Sequence, residues 1–171
     1  MTHQLNFIYN DSDWICPAEY PDLSKATEIA IDLETKDPNI KTKGPGWATF
    51  DGHIVGFAVA ALGQQWYFPI AHDAGGNMDL SITCAWMQDI LKLPATKIFH
   101  NASYDVGWLL VNGFEIKGKI VDTMIAAALI NENRFSFSLN ACAKDYLGEI
   151  KNETFLNEKA KEWGIDPKAD M

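Results

Sequence analysis

The sequence predicts an α/β domain built on a mixed sheet, and three observations predict it. Residues 27–34, 53–62 and 65–70 are apolar or alternating runs of strand length. Residues 80–91, 102–111 and 123–130 read as helices, and short apolar runs at 97–100 and 120–121 fall between them. Three strands in succession, followed by strands alternating with helices, give three antiparallel neighbours and then parallel strands, with helices flanking the sheet.

Taken in order, residues 1–24 are aromatic and acidic with Pro17 and Pro21, the composition of an irregular or edge-strand lead-in. In 27–34, Ile29, Ile31 and Leu33 fall on one side of a strand and Glu28, Ala30, Asp32 and Glu34 on the other, so one face is apolar and one acidic. Residues 37–46, with Pro38, Gly44, Pro45 and Gly46, read as a loop. The runs 53–62 and 65–70 are joined by Gly63-Gln64 in the form of a hairpin. After Gly75-Gly76-Asn77, the spacing of Trp86, Met87, Ile90 and Leu91 gives a helix over 80–91, closed by Pro94. A short buried strand at 97–100 precedes Asn101, a favoured cap for the helix 102–111, which ends at Asn112-Gly113. A strand near 120–121 leads into helices at about 123–130, 138–146 and 153–163. No repeat or linker divides the chain, and residues 1–171 are read as a single domain.

Composition narrows the classes. With 171 residues, 47% of them hydrophobic, the chain closes a core without staples. It shows neither a signal pattern nor an apolar run near the span of a membrane helix, so a soluble, cytoplasmic protein is expected. Cys16, Cys84 and Cys142 are far apart and odd in number, which reads as reduced thiols. His3, His53, His72 and His100 lack the pairing of a zinc site, so carboxylates must hold any metal. A net charge of −9, with Arg134 the only arginine, argues against a stand-alone nucleic-acid binder. Contact with DNA would be short, metal-assisted or supported by a more basic neighbour.

Two sets of carboxylates carry the candidate chemistry. Asp32 and Glu34, two apart on a strand, leave one face with Cα atoms roughly 6.5–7 Å apart. Alone they are equally the wet face of a strand. Asn101 and Asp105 share a face at a helix start, where a cap and a first-turn acid already explain them. Together, the two sets would gather several negative charges. At about 4 Å and an effective dielectric of 20, each like-charge pair costs about 4 kcal/mol. Divalent cations are the natural remedy.

Ile29-Ala-Ile-Asp-Leu-Glu-Thr35 resembles the first exonuclease motif of family A DNA polymerases, and Asn101-Ala-Ser-Tyr-Asp105 resembles the second, Asn-x-x-Tyr-Asp. Residues 67–73, 113–118, 122–124 and 138–147 are similar to further family segments in the same order, so the resemblance runs from about residue 24 to about residue 158. It implies a ribonuclease-H-like domain that removes nucleotides from the 3′ end of single-stranded DNA with two Mg²⁺ or Mn²⁺ ions. Asp32 would bridge both ions, Glu34 would hold the water-activating ion and Asp105 would help hold the second. Thr35, Asn101 and Tyr104 would lie near the terminal nucleotide, and a polymerase domain of the same parent chain would supply the basic surface.

One departure bears on activity. The family's third motif, Tyr-x-x-x-Asp, does not occur after Tyr146, so the chain is read as the N-terminal part of a longer polymerase, with weak or no activity as it stands. Two alternatives stay open: a stand-alone RNA 3′ exonuclease in the manner of ribonuclease D, and a non-catalytic module of the same fold. His72 and His100 read as hydrogen-bonding residues, Asp122 as a cap for the helix at Thr123, and Trp47, Phe50, Trp66, Tyr67, Phe68 and Trp108 mainly as core.

Overall fold

The computed structural model describes residues 15–73 and 75–149, together with 158, 161 and 162. The helix expected over 153–163 therefore lies largely outside the described residues. Among the described residues, five strands form one sheet in the order β3-β2-β1-β4-β5. They are β1 (Glu28–Lys36), β2 (His53–Ala61), β3 (Gln64–Pro69), β4 (Thr96–Phe99) and β5 (Ile120–Asp122). β1 to β3 form an antiparallel meander, and β4 and β5 run parallel to β1. The helices are α1 (Ile40–Lys43), α2 (Gly46–Thr49), α3 (Leu80–Lys92), α4 (Ala102–Val111), α5 (Thr123–Ile130) and α6 (Leu139–Leu147). Among the described residues, no helix is long and apolar enough to cross a membrane.

The alternation in β1 decides the layering. Ile29, Ile31 and Leu33 are buried, and the same face continues into Phe57 and Val59 of β2, opposite Leu33 and Ile31, and into Phe68 of β3. Met87, Ile90 and Leu91 of α3 and Trp108 and Leu109 of α4 complete this core. Each large apolar side chain buried there contributes about 1.5–3 kcal/mol. Residues 15–24 are irregular, and they are pinned where Tyr20 bonds Thr83 (2.7 Å) and Trp86 donates to the Pro21 carbonyl (3.1 Å).

The hairpin turn falls one residue earlier than the sequence suggests. Leu62 and Gly63 both take positive φ (54° and 73°), the pattern of a two-residue I′ turn, so Gln64 already belongs to β3. Residues 37–46 are not a plain loop. They include α1 and lead into α2, because the Asp37 carboxylate accepts the Gly46 N–H (2.8 Å) and Asn39 bonds Asp51 (2.6 Å). These contacts fold the segment back upon itself. Gly107 lets α2 approach α4: a Cβ there would lie 2.4 Å from the Trp47 ring.

The Asn101 side chain does not cap α4. The residue sits in the left-handed region (φ 69°) with no side-chain bond to the helix backbone. The cap comes instead from Asp122, whose Oδ1 accepts the Asn101 N–H (3.1 Å) and Oδ2 the Ala102 N–H (2.8 Å). Asp122 also accepts from Met124 (2.9 Å) and Ile125 (3.4 Å), so the expected cap of α5 is present as well. One carboxylate closes two helix starts.

Lys97 of β4 is fully buried, with its Nζ donating to the carbonyls of Leu93 (2.5 Å), Ala95 (3.0 Å) and Lys117 (2.8 Å). Burial lowers its pKa. Those three bonds hold the α3–β4 corner against the segment leading to β5. Lys97→Met keeps the stem and strands the three carbonyls; urea denaturation should show a loss of about 3 kcal/mol. A loss under about 0.5 kcal/mol would mean that the corner holds without the ammonium.

Candidate active site

The second face of the sheet carries the acids. Ala30, Asp32 and Glu34 of β1 lie opposite Ala60, Ala58 and Gly56 of β2, and the Asp32 and Glu34 side chains are exposed. A cleft of about 890 Å³ opens on this face, lined in part by Ala30, Asp32, Ala58, Tyr67, Ile98 and His100. At Glu34 the pairing slips: Glu34 faces Gly56 while Thr35 faces Ile54, leaving Val55 as the extra residue of a β-bulge. The bulge lies at the C-terminal end of the central strand, where the chain turns from the sheet into the site.

Asp105 reaches this place from α4. Pairing of β1 with β4 stops at Ala30 and Ile98, after which the β1 edge is open. The Leu33 N–H on β1 donates to Asp105 Oδ1 (3.3 Å). Asp105 is only 3% exposed. Its pKa is pushed up to about 7, first by burial and then by the charge of Asp32, with Glu34 and Asp122 adding to the shift and the Leu33 N–H opposing it. The carboxyl thus feels both acids of β1. Asp122 behaves differently: burial raises its pKa, but its four backbone N–H partners outweigh that and hold it below the ordinary value.

Beside these acids runs a hydrogen-bonded chain. Tyr104 donates to Asp37 Oδ2 (2.9 Å), and Asp37 also takes the Gly46 N–H. Since the phenolic proton goes to the carboxylate, Thr35 Oγ1 is the donor in its 2.8 Å bond with Tyr104. Burial raises the Tyr104 pKa. Asn101 is half-buried at the start of α4, with Oδ1 accepting from Ser103 (3.0 Å). His100 Nδ1 bonds Thr123 Oγ1 (2.9 Å), whose own proton goes to the Phe99 carbonyl (3.0 Å), so Nδ1 carries the imidazole proton.

The structure therefore brings Asp32, Glu34 and Asp105 within electrostatic reach of one another and ties Thr35 to Tyr104. Asn101 lies at the start of α4, with its Oδ1 accepting from Ser103. Sequence reasoning passed over Asp37, which fixes Tyr104; the acid before Pro38 was a signal only of a turn. Among the described residues, no three carboxylate, imidazole or thiolate groups are drawn tightly enough to form a ready-made cation cage. The donor chemistry still fits a hard divalent ion, being oxygen only, with one carboxyl whose pKa is raised first by burial and then by the charges beside it.

A family model described as 3′-5′ exonuclease, of the DNA polymerase A type, matches residues 20–171. The chain belongs to this 3′-5′ exonuclease family. The DNA-directed DNA polymerase of Pseudomonas phage M6 is 34% identical over 172 residues, covering 96% of this chain and 26% of that protein. The chain spans about a quarter of the length of the curated relatives it matches (21–26%). Among solved structures, the POL domain of Pol1 from M. smegmatis, in complex with DNA primer-template and dNTP, superposes with a TM-score of 0.54 at 19% identity, over 74% of this chain and 20% of that one. Escherichia coli RNase D, an exoribonuclease involved in structured RNA processing, gives 0.53 at 18% identity over 77% and 31%. At those identities the structures show the fold, which is ribonuclease-H-like, and the sequence relatives place this exonuclease domain with phage DNA polymerases.

The Asp105 shift has a defined sign. Its folded pKa of about 7 lies above the unfolded 3.8, so between these values the folded state holds a proton that the unfolded state has released. Stability through this group is therefore lost as pH rises from about 4 to about 7. With chelator present, Asp105→Asn should raise the urea midpoint relative to wild type at about pH 8 and by clearly less at about pH 5. Equal gains at both would locate the penalty elsewhere.

Proposed function

We propose that this domain hydrolyses the 3′-terminal phosphodiester of single-stranded DNA, releasing a deoxynucleoside 5′-monophosphate, as the proofreading part of a longer DNA polymerase. The single observation that supports it best is Asp105. It is a buried carboxyl bonded to the backbone of β1 between Asp32 and Glu34, with its proton affinity raised by burial and by those two charges. Asp32, Glu34 and Asp105 are the residues that would hold Mg²⁺ or Mn²⁺. Bound there, the ions would acidify the attacking water and neutralise charge on the departing 3′ oxygen.

The chain's own groups set the rest. Asp105 gives up its proton when the site gains positive charge, which turns a folding penalty into ligand affinity. Thr35 and Tyr104, locked by Asp37, present a fixed wall beside the acids for the terminal nucleotide. Asn101, in its left-handed turn at the start of α4, would offer its amide to the same nucleotide. Water attacks phosphorus, the bond to the 3′ oxygen of the penultimate nucleotide breaks, and that oxygen takes a proton. With a charge of −9, the domain depends on a polymerase domain of the parent chain for most of its hold on DNA.

Monophosphate release from labelled single-stranded DNA in Mg²⁺ or Mn²⁺ tests this. The 171-residue chain should be slow, and the chain extended through a Tyr-x-x-x-Asp helix faster by several powers of ten, since groups that act as a unit fail together. In the extended protein Asp32→Ala should abolish release, as should chelation. Release that survives Asp32→Ala would remove these acids from the chemistry, and faster cleavage of an RNA oligomer would favour the ribonuclease alternative.

A further inference from the structure

Three strands converge on one side chain that the proposed reaction leaves unused. On the acidic face, Asp32, Ala58 and Tyr67 are paired across β1, β2 and β3, and Glu34, Gly56 and Pro69 form the next row. Tyr67 does not stay in its own row. Its ring leans over Gly56, where a Cβ would fall 2.1 Å from the phenolic oxygen and 2.4 Å from Cζ. Only a residue without a side chain leaves room for it. That path carries the hydroxyl from β3 across β2 toward Glu34 of β1.

The hydroxyl is held at its far side. Tyr67 Oη and His72 Nε2 form a short hydrogen bond, with the rings edge to face at 5.8 Å. His72 is in turn fixed through its backbone, its N–H donating to Asn77 Oδ1 (2.7 Å) and its carbonyl accepting from Asn77 Nδ2 (2.8 Å). A Lys36–Asp73 bond of 2.7 Å ties the same loop to the end of β1. The backbone that carries the imidazole is thus held independently of what the ring binds.

We propose that Tyr67, admitted by Gly56 and oriented by His72, is a positioning residue that directs its phenolic proton at the Glu34 carboxylate. The inference rests on the reading of Asp32, Glu34 and Asp105 given above. The polarity of the Tyr67–His72 bond decides it. If the phenol donated to His72, its lone pairs would face a carboxylate, which is repulsive. If His72 Nε2–H donates to the phenolic oxygen, the phenol's proton points toward Glu34, and the charge and the dipoles align. Burial lowers the His72 pKa, which suits a neutral ring with one proton, here on Nε2. Glu34, on an exposed strand face, gains from β3 a fixed donor that its own strand cannot provide.

Two measurements on the 171-residue chain test this without requiring turnover. Long-range ¹H–¹⁵N correlation should show the His72 ring protonated at Nε2 and bare at Nδ1; the opposite tautomer would overturn the proposed polarity. Mn²⁺ titration followed by water-proton relaxation should show, at unchanged melting temperature, a loss of about threefold to tenfold in affinity for Tyr67→Phe, the range one hydrogen bond accounts for. His72→Ala should match it, and His72→Gln, whose amide can still donate, should recover most of the loss. Asp32→Ala separates the two layers. If it abolishes binding while Tyr67→Phe binds as wild type, the positioning role is wrong and the site stands. If Asp32→Ala binds as wild type, the site and the inference fall together.

Discussion

The site depends on the place where β1 and β4 part. Two parallel strands that stayed paired to their ends would leave β1 no free donor. Here pairing ends at Ala30 and Ile98, and the Leu33 N–H, three residues further on, needs an acceptor. Asp105 provides it from the first turn of α4. A backbone requirement of the sheet thereby draws a carboxyl into a buried position next to two acids. In an open α/β sheet this parting of strands is where ligands bind, outside the carboxyl ends of the strands. The bond that repairs the sheet holds Asp105 where burial and the charges of Asp32 and Glu34 raise its pKa, and only partly offsets them.

α4 can serve in this way because its start is secured elsewhere. Asp122, at the end of β5, accepts N–H groups from the starts of both α4 and α5. That frees the residues at the start of α4 from capping themselves. Asn101 takes a left-handed turn, and Tyr104 and Asp105 project in the directions the site requires. On the other flank, Asp37 organises the short helices α1 and α2 and receives the Tyr104 proton. The acids of the site are thus bordered by acids that carry structural hydrogen bonds, Asp122 to the starts of two helices and Asp37 through its Oδ2. Asp122 has four N–H donors and stays ionised, whereas Asp105 has one and is pushed toward its neutral form.

The charge of the domain has a consequence for its partners. A net −9 repels a phosphate backbone over roughly 8 Å at physiological ionic strength. Under the proposed function, a single 3′ end would expose few phosphates to that field, and a longer duplex would expose many. The proposed function therefore calls for brief engagement of a terminus rather than tight binding; in the relatives, the matching segment is about a quarter of a much longer polymerase.

By itself the sequence determined the layering and the candidate acids. Alternation in β1 sorts Ile29, Ile31 and Leu33 from Asp32 and Glu34, and helical spacing places Asp105 in the first turn of α4, because these are properties of short stretches of chain. The motifs Ile29-Ala-Ile-Asp-Leu-Glu-Thr35 and Asn101-Ala-Ser-Tyr-Asp105 were legible for the same reason. Only the tertiary structure decided who satisfies whom. Asn101 is a favoured cap by residue type, yet Asp122, twenty-one residues away, takes its place; the supposed loop at 37–46 is folded by Asp37 and Asn39. Tyr67 reads as core on its own strand, yet its ring lies over Gly56 of the neighbouring strand, which has no side chain to exclude it. Hydrogen-bond partners and close approaches across strands depend on register and on which groups the sheet leaves unpaired, and that information exists only once the strands have met.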